Sequence, residues 1–234
     1  MKKIPKISYK VYPNTRLKPV WFHGRQQYPI YIVVVYNRTP TYFKSYYFDL
    51  LTHPKYAIHS VIGRKEPVID DILKKEQELL EYLVEKYILD FEIERFKQEY
   101  FRLGRDLLFE IEESFQRYMA TFFHDEGLPV FASLVSEGGK HTTSENILHD
   151  LKVVLKVDSF KKLMENAAFY APPYVPLCAF IRSRQKTSIP LFSILDWESE
   201  GIQKEFRRFI ISSYPNYDVE LTENYLAKLV TSFC

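Results

Sequence analysis

The alternation of apolar and polar positions is clearest at the start of the chain. Lys6-Ile7-Ser8-Tyr9-Lys10-Val11-Tyr12 alternates strictly enough to predict a β-strand, which the turn residues Pro13-Asn14 end. After Pro29, the run Ile30 to Tyr36 is almost wholly β-branched or aromatic and predicts a second strand. Asn37-Arg38-Thr39-Pro40 carries turn chemistry, and Thr41 to Phe48 predicts a third strand, completing an antiparallel meander. A three-stranded sheet of this size needs a cover on one face. The cover is expected from Pro67 onward, where Ile69, Ile72, Leu73, Leu80, Leu83, Val84 and Tyr87 follow helical spacing with acids opposite. Further helices are predicted over Phe91–Arg102 and Arg105–Phe123, the latter with a stripe of Leu108, Ile111, Phe115, Tyr118 and Phe122.

Gly127-Leu128-Pro129 and Glu137-Gly138-Gly139 then punctuate the chain. Thr143 or Ser144 is suited to cap a helix through Leu155, and Asp158 or Ser159 one to Phe169. Ala171 to Pro176 reads as a stiff connector. Asp196 could cap a helix to Ser213, and Thr222 one running toward the C-terminus. The abrupt end at Phe233-Cys234 is expected of a chain that is truncated or docks on a partner. The expected fold is α+β: a small three-stranded antiparallel sheet with a helix over 1–88, then a mostly α-helical domain over 89–234.

Composition adds limits. The 234 residues are 46% hydrophobic and 16% aromatic, enough to bury a core. Two cysteines, Cys178 and Cys234, supply neither a disulfide framework nor a thiolate cluster, so a reducing, cytoplasmic setting is expected. Met1 to Lys6 has the charges of a signal peptide without its apolar stretch, and no later run reaches membrane-spanning length, so no membrane association is expected.

Charge changes the picture more. A formal net charge of +2 hides twelve Lys or Arg against one acid, Asp49, over residues 1–65. Residues 66–126 carry eight bases and seventeen acids, and the remainder is balanced. Basic side chains interleaved with aromatic ones on a small sheet suit a polyanion, because neutralising phosphates releases counterions and a sheet can enter the major groove. Double-stranded DNA is therefore the expected partner, with Lys6, Lys10, Arg16, Lys18, Arg25, Arg38 and Lys44 as candidate contacts. The competing reading is a basic face that balances the neighbouring acidic helix or an acidic protein partner. Self-association or a protein partner would engage the helical region.

The residues Tyr28-Pro29-Ile30-Tyr31-Ile32-Val33-Val34-Val35-Tyr36-Asn37-Arg38, after a basic first strand, resemble the arm-binding module of the tyrosine recombinases, or phage-type integrases. That module carries a Pro-Ile-Tyr-x-Arg-Ile type of motif, a short polar turn and a third strand; Val33 stands where the family often has Arg. Phe192 to Trp197, Ile202 to Phe209 and Leu221 to Leu229 resemble the family's SAM-like core-binding domain. The resemblance implies DNA binding. The family's strand-cleaving chemistry belongs to a further domain that these residues do not resemble, so no catalytic residue is assigned.

Other chemistry is weakly signalled. Arg117 and His124 fit the loose Arg-x(4–6)-His spacing of HEPN-type ribonucleases. His141 and His149 lack Cys or carboxylate partners at ligand spacing, and no Gly-rich phosphate loop occurs, so neither metal nor cofactor is expected.

Overall fold

The computed structural model describes residues 6–57, 66–184 and 188–233, so Lys2, Lys3, Arg64, Lys65 and Cys234 lie outside the described residues. The class is α+β, as the sequence predicts. Contacts divide the described chain into two compact units, one comprising 6–53, 66–105 and 188–189, the other 54–57, 106–184 and 190–233.

In the first unit, strands β1 (Ile7–Pro13), β4 (Ile30–Tyr36) and β5 (Thr39–Lys44) form the antiparallel meander in the order β1-β4-β5. A second sheet, absent from the sequence expectation, is the hairpin of β2 (Val20–Phe22) and β3 (Arg25–Gln27). Its two-residue turn, His23-Gly24, has φ of 43° and 80°, the left-handed values of a type I′ turn that matches strand twist. Ile30, Ile32 and Val34 of β4 and Phe43 of β5 are buried on one face of the meander. Helices α3 (Ile69–Tyr87) and α4 (Ile93–Gly104) bury Ile72, Leu79, Leu80, Leu83, Phe96 and Tyr100. The Phe43 ring lies 5.0 Å from that of Tyr100, edge to face, and Tyr36 lies 4.8 Å from Phe91.

The third strand stops earlier than expected. Tyr46, Tyr47 and Phe48 do not extend β5; they begin helix α1 (Tyr46–Leu51). Their β propensity is overridden because the first three N–H groups of α1 each find an acceptor. Tyr46 N donates to the Tyr100 hydroxyl at 2.9 Å, Tyr47 N to Glu76 Oε1 at 3.2 Å, and Phe48 N to Ser45 Oγ at 3.0 Å. Glu76 also accepts from Ser45 Oγ at 2.5 Å and from the Tyr100 hydroxyl at 2.7 Å. A carboxylate thus occupies the apolar stripe of α3, where the helical pattern had placed acids on the outer face. Burial pushes its pKa up to about 7, against the opposing pull of these donors.

The second unit is helical: α2 (Pro54–Ala57), α5 (Leu107–Asp125), α6 (Pro129–Gly138), α7 (Ser144–Val154), α8 (Val157–Tyr170), α9 (Tyr174–Arg184), α10 (Ile194–Glu198), α11 (Ile202–Ser213) and α12 (Val219–Thr231). Asp106 caps α5 through Phe109 N at 2.8 Å and accepts from Phe192 N at 2.6 Å. Phe115 stacks on Tyr174 at 4.1 Å, and the Tyr174 hydroxyl donates to buried Glu112 at 3.1 Å. Several boundaries differ from expectation. The two glycine-containing breaks enclose α6, since Pro129 opens a helix and needs no N–H there. The expected connector is helical from Tyr174 onward. Lys156, not Asp158 or Ser159, precedes α8, without a side-chain cap. Ser193 caps α10 in a box closed by Asp196, and Gly201 (φ 83°) separates α10 from α11. Asp218, rather than Thr222, caps α12. Among the described residues no helix is long and apolar enough to cross a membrane.

Glu76 gives the first unit a testable pH dependence. Its folded pKa of about 7 exceeds the ordinary carboxyl value of 4.5, so the folded state holds the proton more tightly. The stability this group contributes is fully present below about pH 4.5 and is lost as pH rises toward 7. Glu76→Gln keeps an acceptor and removes the titration. Urea unfolding of both proteins should show the wild type losing stability relative to Glu76→Gln across that window; parallel curves would mean that the carboxyl titrates normally.

Candidate nucleic-acid interface

Strand alternation decides which side chains the buried face leaves outside. Directly opposed residues of an antiparallel pair share a face. The register opposes Ser8 to Val35, Lys10 to Val33 and Tyr12 to Tyr31 across β1 and β4. Across β4 and β5 it opposes Val35 to Pro40, Val33 to Tyr42 and Tyr31 to Lys44. The face turned away from Ile30, Ile32 and Val34 therefore carries the rows Ser8-Val35-Pro40, Lys10-Val33-Tyr42 and Tyr12-Tyr31-Lys44. Lys10 and Lys44 are exposed on its two outer strands, and Tyr42 is 59% exposed.

The seven predicted contacts occupy three settings, and all are exposed. Lys10 and Lys44 share the outer face. Lys6, just before β1, and Arg38, in the β4–β5 turn, lie at one end of the sheet, because Ile7 pairs with Tyr36. Arg16 and Lys18 lie in the loop after β1, at the other end. That loop is fixed by Asn14: its N–H donates to Pro29 O at 2.8 Å, its carbonyl accepts from Leu17 N at 3.1 Å, and its Oδ1 accepts from Arg16 N at 3.2 Å. Arg25 stands apart on the β2–β3 hairpin, 3.9 Å from Glu66.

The rival reading, in which the protein neutralises its own cations, turns on ion pairs. Among the described residues, Lys6, Lys10, Arg16, Lys18, Arg38 and Lys44 form none. Two acids of α3, Glu81 and Glu85, act instead on Tyr9, an inward-facing position of β1, whose pKa is raised by burial and then by those two carboxylates. The outer-face tyrosines Tyr12, Tyr31 and Tyr42 escape sequence reasoning as a set. Their common face follows from register, which the alternation of Ile30, Ile32 and Val34 with Tyr31 and Val33 could have signalled.

The other candidates are dispersed. Arg117 is exposed beside Glu113 (3.8 Å), and His124 beside Asp125 (3.8 Å). His141 is exposed and His149 lies 3.3 Å from Asp150. Among the described residues, no group of three or more His, Cys, Asp or Glu is placed to hold a metal ion.

Comparison with known proteins finds no relative: no family model matches the chain, and neither a curated protein nor a solved structure matches it.

Asn37 and Arg38 form the β4–β5 turn with φ of 48° and 65°. Asn tolerates this region, whereas Arg at the second position costs about 1 kcal/mol relative to the glycine that type I′ turns favour. Arg38→Gly should therefore raise unfolding stability by about 0.5–1 kcal/mol while weakening binding to polyanions. Denaturant unfolding and heparin retention, measured side by side, check the two opposed effects.

Proposed function

We propose that the chain binds double-stranded DNA through the outer face of the β1-β4-β5 sheet and does not cleave it. The observation that carries this reading is a set of exposed cations that form no ion pair among the described residues, distributed over one sheet face and both its ends. Adjacent strands lie about 4.8 Å apart, so the two outer strands are separated by roughly 10 Å. The major groove is about 12 Å wide and admits an element of that size. Seated there, Lys10 and Lys44 reach phosphates from opposite edges of the sheet. Val33, Val35 and Tyr42 offer apolar contacts to thymine methyl groups, while Lys6, Arg38, Arg16 and Lys18 extend the phosphate contacts along a strand length of roughly 23 Å.

The resemblance to tyrosine recombinases supports the same reading. In it, the meander acts as an arm-type DNA module and the helical unit engages a second DNA site or a protein partner. A cytoplasmic setting belongs to the same proposal.

Engagement of about five phosphates requires log affinity to fall against log salt with a slope of roughly −4 to −5. Fluorescence anisotropy of a labelled duplex measures it. The double variant Lys10→Ala/Lys44→Ala should lose about two units of slope, and the duplex should be recovered uncut. A slope near zero, or one that the double variant leaves unchanged, contradicts the proposal.

A further inference from the structure

Among the described residues, the β2–β3 hairpin is held on one side. Phe22 is buried and stacks on Phe48 of α1 at 5.3 Å, and the buried His23 ring meets the Leu51 carbonyl through Nε2 at 3.2 Å. Phe22 is opposite Arg25, so the next residues along, Trp21 and Gln26, are paired on the other side of the ribbon. Both are exposed, Trp21 to 71%. The chain's only other tryptophan, Trp197, is 4% exposed and packs against Phe206 at 5.5 Å. A large aromatic held in water on an anchored hairpin gains nothing for the fold. Its surroundings are cationic: Arg16, Lys18 and Arg25 flank it in sequence, and no acid occurs before Asp49.

We infer that this hairpin is a base-stacking element, in which Trp21 packs on the face of a nucleobase and the Gln26 amide, directly across the ribbon, hydrogen-bonds the same base or its neighbour. The inference rests on the reading of the sheet as a DNA surface and adds a feature to the bound DNA. A base inside regular duplex is covered on both faces by its neighbours. The occupant of Trp21 is therefore an unpaired or unstacked base beside the duplex that the sheet holds. An indole stacks on any base, and cationic flanks draw the strand in; Gln26 supplies paired donor and acceptor atoms of the kind that read adenine.

The test uses the full chain, a perfect duplex, and the same duplex with one unpaired adenine. Trp21 dominates the solvent-exposed tryptophan emission, so that emission should fall on titration with the bulged duplex. It should fall little in Trp21→Phe. Trp21→Ala should bind the bulged duplex about fivefold or more weakly than wild type, with affinity for the perfect duplex nearly unchanged. Because Trp21 is exposed, circular dichroism should show the variants folded. If both duplexes bind with equal affinity, wild-type emission stays constant and Trp21→Ala binds normally, the stacking inference is overturned while the sheet reading stands. If neither duplex binds, both are overturned.

Discussion

The period of two along β4 sets the constraint from which the rest follows. Ile30, Ile32 and Val34 must be covered, and α3 and α4 contribute buried side chains to the same unit. Once they are covered, Tyr31, Val33 and Val35 face the other way, and pairing aligns Lys10, Tyr12, Tyr42 and Lys44 with them. A register slip of one residue would bring lysines toward the core and valines to water, so burial of one face selects the composition of the other. Positive charge on the outer face is thus a consequence of packing on the inner one. Glu81 and Glu85 of α3 act on β1 at Tyr9, on the covered side, and among the described residues Lys10 and Lys44 form no ion pair.

A second dependency runs from the core to the hairpin. Glu76 occupies a place where an apolar residue would pack without desolvation cost. It joins Ser45 at the end of β5, the Tyr47 N–H in the first turn of α1 and the Tyr100 hydroxyl of α4. Burial, with Glu76 alongside, holds the Tyr100 hydroxyl well above its ordinary pKa, so it remains a donor. With α1 fixed, Phe48 and the Leu51 carbonyl provide the surface on which Phe22 and His23 anchor the β2–β3 hairpin. The buried carboxylate therefore helps to determine where Trp21 stands.

The strands of the meander and the long helices α3 and α5 were legible because each repeats one period over many residues. The hairpin was not, since strands of three residues carry no period; His23-Gly24 was its only cue. Tyr46 to Phe48 misled because β-prone side chains were recruited into a helix by Ser45 and Glu76, residues 31 positions apart in sequence. Pro129 was read as a break where it marks a helix start. The basic residues were legible as a list, whereas their arrangement was not: Lys10 and Lys44 meet on one face only through a register shared by three strands.

The most direct measurement of the central claim is lysine acetylation of the protein with and without saturating duplex DNA, read residue by residue by mass spectrometry. Protection concentrated at Lys6, Lys10, Lys18 and Lys44, with Lys74 and Lys97 on the helices unchanged, is the predicted result. Protection confined to lysines of the helical unit, or none at all, would contradict the assignment of the outer sheet face as the DNA-binding surface.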